Sequence, residues 1–209
     1  LNLNHKKETL LHFPIHSKNM IIQENATKIL QNMDTVGDTT VYDISMQKPV
    51  MLVFLRHFGC VFCKEALTDI ANQRAKIEAD GVEIVFVHMS DTATAKRYFN
   101  RYELDGIDFV NDEACNFYKA FGLLKGNFSQ LFGLSTWIRG FNASSREGHK
   151  LEYSRQLGDS FQMPGIFMIT KGQITKQFIH KMASERPDYL DLLDGCEVAF
   201  GNNERSATA

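Results

Sequence analysis

Cys60 and Cys63, separated by Val61 and Phe62, are the pair of residues in this sequence best placed to do chemistry. They follow the apolar run from Val50 to Leu55 and the polar pair Arg56 and His57, with Phe58 and Gly59 between. The stretch reads as a buried strand, a turn at one glycine and the opening of a helix. Helix N-termini carry unpaired N–H groups and the positive end of the macrodipole. Both favour a thiolate, the reactive form of cysteine. Two thiols three positions apart can also close a small disulfide with little backbone rearrangement. The pattern points to reversible two-electron sulfur chemistry.

Nearby cations strengthen that reading. Thiols in such motifs have pKa values lowered to roughly 3.5–7.5 from about 8.5, and Arg56, His57 and Lys64 could each contribute. His57 could also donate a proton to a leaving group; the alternative is a histidine that merely ends a strand at the surface. A Cys-x-x-Cys can be half of a zinc site, but that needs two more ligands at recognisable spacing. Cys115 and Cys196 are distant, and no histidine lies at metal spacing, so no metal or cofactor is expected. Cys115, beside Phe117, reads as a buried apolar thiol.

The elements that must position the pair follow from periodicity. Asn19 to Met33 has helical spacing, and Val36-Gly37-Asp38 ends it. Thr39 to Ile44 alternates and is rich in β-branched residues, which predicts an edge strand. Val50 to Leu55 reads as a central strand covered on both faces. A helix from about Cys60 to Asp80, a buried strand from Val82 to Met89 and a helix from Thr92 to Tyr102 follow. A short strand over Ile107 to Val110 and a helix opened by Asp112 come next. Met163 to Ile169 and Gln173 to Ile179 read as a hairpin around Lys171-Gly172, and Pro187 as the first turn of a closing helix. The aromatic run Phe128, Phe132, Trp137 and Phe141 could be a substrate groove, a dimer face or plain core. Strands alternating with helices, then a hairpin, describe an α/β layered domain.

At 209 residues with 44% apolar content, one core is expected rather than two. The expected division is an N-terminal extension over 1–35, the main domain over 36–198 and a flexible tail over 199–209. A formal charge of −2 gives no electrostatic case for nucleic acid. The apolar runs are too short to span a bilayer. Residues 1–16 lack the continuous apolar core of a secretory signal, so a cytoplasmic location is expected.

The segment Phe54-Leu55-Arg56-His57-Phe58-Gly59-Cys60-Val61-Phe62-Cys63-Lys64-Glu65 resembles the thioredoxin-fold superfamily. More closely, it is similar to the peroxiredoxin-like proteins of the alkyl-hydroperoxide-reductase/thiol-specific-antioxidant (AhpC/TSA) group. Asp112-Glu113, Tyr118 to Leu123 and Met163 to Phe167 support the likeness, which covers about residues 36–195. It implies a thioredoxin-like fold: a central mixed sheet flanked by helices, with an N-terminal extension and an insertion before the hairpin. It implies that Pro164 heads the hairpin strand with a cis peptide and closes the site. It implies a thiol-dependent redox enzyme, served by a thioredoxin-type or small-thiol reductant and acting on a peroxide or disulfide. A homodimer is compatible with it.

The group's ordinary members carry Pro-x-x-x-Thr-x-x-Cys. Aligned on Cys63, that pattern puts Cys60 at the threonine and Arg56 at the proline. An assisting arginine near the hairpin strand is replaced by Met163-Pro164. These departures argue against ordinary peroxidase chemistry and leave dithiol–disulfide exchange intact. In a thioredoxin-like assignment Cys60, expected to be the more exposed, attacks and Cys63 resolves. In a peroxiredoxin-like assignment Cys63 attacks peroxide, becomes a sulfenic acid and is resolved by Cys60. Two alternatives stand beside these. One is a specialised reductase of lipid peroxides; the other is a non-enzymatic redox sensor or binding module on the same scaffold.

Overall fold

The computed structural model describes residues 25–127, 131 and 157–194. Within them the order is a helix over 25–31 (α1), α2 (Val41–Gln47), β1 (Val50–Phe54) and α3 (Val61–Ala79). These are followed by β2 (Glu83–His88), α4 (Thr92–Arg101), β3 (Asp108–Asn111), α5 (Asn116–Ala120), β4 (Gly165–Thr170) and β5 (Gln173–Ile179). The sheet runs β3-β2-β1-β4-β5. β1 pairs parallel with β2 and antiparallel with β4, so the sheet is mixed and β1 is central.

Every residue of β1 is buried, because the sheet is covered on both faces. Met51, Val53 and Leu55 point into one core with Phe86 of β2 and the helices α3 and α4. Val50, Leu52 and Phe54 point into the other with Val85 and Val87, beside α2 and α5. A continuous apolar strand is what two-sided burial requires. β5 sits at the edge and alternates between exposed and half-buried residues. The β4–β5 turn uses Lys171 at φ 51° and Gly172 at φ 72°, the positive pair that suits tight hairpins.

Three expectations are corrected. Residues 41–47 are a helix, not an edge strand. Thr40 caps it, accepting from the Asp43 N–H at 3.1 Å while donating to the Asp43 carboxylate at 2.7 Å. This reciprocal cap, with Val41, Ile44 and Ser45 buried at helical spacing, outweighs the β-branched composition. The residues after Pro187 form turns through 194 rather than a helix, while Tyr189 and Leu193 are buried against the α3 core. The peptide before Pro164 is trans. Within the segment expected as an extension, Leu30 and Met33 lie in the core at 0% exposure. Phe128, Phe132, Trp137, Phe141, Cys196 and the tail lie outside the described residues.

Candidate active site

β1 ends at Phe54, and Leu55 to Gly59 carry the chain to α3 without regular structure. Tyr118 fixes this exit: its hydroxyl lies 2.6 Å from the Leu55 carbonyl and 2.9 Å from that of Val87. Phe58 turns inward and stacks on Tyr98 with ring centroids 4.7 Å apart. Cys60 is the N-cap residue of α3, its backbone extended and its N–H bonded to the His57 carbonyl at 3.0 Å. Cys63 lies in the first turn.

Both cysteines are free thiols and both are buried, Cys60 at 4% and Cys63 at 2% exposure. The expected contrast in exposure is absent. Cover comes from distant segments: Phe58 N–H bonds the Leu157 carbonyl at 3.2 Å, and Arg56 reaches the chain before β4. Its guanidinium donates to the carbonyls of Gln162 (3.3 Å) and Ser160, and its third contact is the Cys60 sulfur at 3.0 Å. Arg56 is itself buried.

A cavity reaches Cys63 and not Cys60. Arg56, Phe62, Cys63, Glu65, Ala66, Asp69, Pro164, Ile166, His180, Ala183, Glu185, Arg186 and Tyr189 are among its lining residues. It meets the surface at Arg186, whose side chain is 43% exposed. Pro164, with a trans peptide, is among the lining residues.

Electrostatics divide the two sulfurs. Burial pushes the Cys63 thiol well above its ordinary range, and the charge of Cys60 adds to this. Arg56 and Lys64 pull the other way. Cys60 instead receives a direct charge-assisted hydrogen bond from Arg56. His57 is buried, and desolvation with the Arg56 charge lowers it to about 4. It is a neutral imidazole at pH 7, so it cannot serve as the cation imagined for it. Lys64 is 1% exposed, and its charge acts on both Cys63 and His57.

Cys115 is buried in the core on the opposite face of the sheet, away from Cys60 and Cys63. Asp112 starts α5, its carboxylate accepting from the N–H groups of Asn116, Phe117 and Tyr118.

Two cavity features escaped the sequence reading. His180 follows β5 and lines the cavity; burial lowers it to about 4. Arg186 forms a fork on Asp69, with Nε–Oδ2 at 2.7 Å, and reaches Glu65 at 3.2 Å. Glu65 and Asp69 are buried on α3, two and six residues past Cys63. Spacing Glu65-x-x-x-Asp69 does mark one helix face, but nothing local identifies residue 186 as its partner.

The arrangement provides one buried sulfur that lines a cavity and a second buried sulfur held by a guanidinium. The AhpC/TSA family model matches residues 22–177. A prostamide/prostaglandin F synthase of Danio rerio is 24% identical over 168 residues, covering 78% of this chain and 81% of that protein. The chloroplastic thioredoxin-like protein AAED1 of Arabidopsis thaliana is 21% identical, covering 77% of this chain and 66% of the other. Among solved structures, a peroxiredoxin 6 of Arenicola marina aligns with TM-score 0.53 at 12% identity. That alignment covers 77% of this chain and 66% of the other, just under two thirds. A peroxiredoxin Q of Xanthomonas campestris aligns with TM-score 0.50 at 13% identity, covering 72% and 81%. These structural likenesses concern the fold.

Proposed function

Because the chain belongs to the AhpC/TSA family, we propose that it is a thiol-dependent peroxidase in which Cys63 meets the peroxide and Cys60 resolves. The observation that carries this reading is that Cys63 lines the cavity and Cys60 does not. The Cys63 thiolate would attack the outer oxygen of ROOH, forming the S–O bond as the O–O bond breaks. The leaving alkoxide takes a proton and departs as ROH. The Cys60 thiolate, supported by Arg56, then attacks the Cys63 sulfenic acid, and water leaves as the disulfide forms. A dithiol reductant of the thioredoxin type, or a small thiol, returns both sulfurs to thiols. The thioredoxin-like order, with Cys60 attacking first, is less well supported, because Cys60 is not among the residues that line this cavity.

The test is stopped-flow peroxide consumption by Cys60→Ser and Cys63→Ser. Cys60→Ser should give one turnover per chain and stop, and Cys63→Ser should give none. Consumption retained by Cys63→Ser would overturn the assignment.

A second reading has its own support. The relatives named prostamide/prostaglandin F synthase, with Phe62, Ala66 and Ile166 on the cavity wall, favour a bulky lipid peroxide as substrate. Saturable turnover of such a peroxide, with negligible turnover of hydrogen peroxide, would select it.

A further inference from the structure

Five ionisable side chains of fixed charge line the cavity over Cys63: the guanidiniums of Arg56 and Arg186 and the carboxylates of Glu65, Asp69 and Glu185. Both guanidiniums are already engaged. Arg186 grips Asp69 and Glu65, and Arg56 holds two carbonyls and the Cys60 sulfur. Glu185 is half-buried on the rim and accepts the Lys181 backbone N–H at 2.7 Å. Lys64 is buried and does not line the cavity. His180 adds no positive charge at pH 7, since burial holds it at about 4. Between the charged groups the wall is apolar, formed by Phe62, Ala66, Ile166 and Ala183.

An anion entering this space meets three carboxylates and two guanidiniums that already hold carboxylate, carbonyl or sulfur acceptors. Like charges brought together without solvent discriminate strongly between otherwise similar ligands. We propose that the cavity selects uncharged apolar hydroperoxides over those bearing a carboxylate, with Glu185 as the residue that sets the discrimination. This rests on the peroxidase reading of Cys63, and the reacting bond and electron balance are those given above. Glu185 acts on the charge of the incoming molecule and takes no part in breaking the O–O bond.

The experiment compares cumene hydroperoxide with its para-carboxylate derivative, a pair that differs by one remote charge. With a dithiol reductant, kcat/KM should be at least about tenfold higher for the uncharged member. Glu185→Gln keeps an acceptor for the Lys181 N–H and should raise kcat/KM for the charged member at least threefold. Its effect on the uncharged member should be under twofold. Equal efficiencies for the two peroxides, or a gap that Glu185→Gln leaves unchanged, would overturn the proposal.

Should neither peroxide be consumed, the peroxidase reading fails on its own. The charge preference is then judged by alkylation of Cys63, located by peptide mass spectrometry. The rate ratio of iodoacetamide to iodoacetate should exceed that of 2-mercaptoethanol at least fivefold. A ratio equal to that of 2-mercaptoethanol, or no reaction of Cys63 with either reagent, overturns it.

Discussion

The Arg56 guanidinium lies 3.0 Å from the Cys60 sulfur, so this buried cation binds directly the cysteine that does not line the cavity. Its charge also lowers the Cys63 pKa through space. Arg56→Ala should therefore slow resolution more than attack. A dimedone-type probe added after one equivalent of peroxide should trap several-fold more Cys63 sulfenic acid than in the native chain. Arg56→Lys, which keeps the charge but not the fork, should fall between. Equal trapping in all three would remove Arg56 from the resolving step.

The reaction rate should climb with pH. Burial holds Cys63 as a thiol, so its thiolate fraction rises about tenfold per pH unit below its pKa. Single-turnover peroxide consumption should increase from pH 7 to 9 with no plateau. In Cys60→Ser the limb should shift to lower pH, because the Cys60 charge is the second cause of the rise. A rate already level at pH 7 would contradict this.

Acid should destabilise the fold before the carboxylates titrate. Burial lowers His57, His88 and His180 from 6.5 to about 4. Between those values the unfolded chain binds more protons, so stability is full above pH 6.5 and falls as pH drops toward 4. Each histidine accounts for on the order of 3 kcal/mol at full shift. Tm measured from pH 7 to 4 should fall steeply, and His88→Phe should flatten that slope. A Tm constant across the window would refute it.

Arg186→Ala removes the guanidinium that the buried Asp69 carboxylate holds and that lies 3.2 Å from buried Glu65 on α3. Breaking a buried pair costs about 3–5 kcal/mol, but Arg186 is 43% exposed. Water shares its charge, so a loss of about 1–3 kcal/mol is expected in urea unfolding. Arg186→Lys should recover less than half, since one ammonium cannot span both oxygens of Asp69 and reach Glu65.

Tyr118→Phe deletes the hydroxyl shared by the Leu55 and Val87 carbonyls. Both are buried, so the expected loss is about 1–2 kcal/mol in denaturant unfolding. The preference between charged and uncharged peroxides should be unchanged, because Tyr118 packs in the opposite core.

The cysteine pair at a strand-to-helix junction was legible because every cue is local: an unbroken apolar run, a glycine, then helical spacing. The hairpin was legible for the same reason, through Lys171-Gly172. The burial of the thiols was not. Their cover comes from Leu157, Ser160 and Gln162, about a hundred residues further along, and no periodicity near Cys60 encodes it. His180 and Arg186 were illegible on the same grounds, since each acquires meaning only once β5 brings it beside α3. Thr39 to Ile44 misleads because its β-branched composition suits a strand while the Thr40–Asp43 cap starts a helix.

The Arg56 clamp closes on carbonyls 104 and 106 positions downstream, and the far wall of the cavity runs from Pro164 to Tyr189. During synthesis from the N-terminus, the dithiol thus emerges from the ribosome long before its guanidinium can be anchored or its chamber built. Until those segments follow, the two thiols stand without the cover and the Arg56 contact that the folded chain gives them.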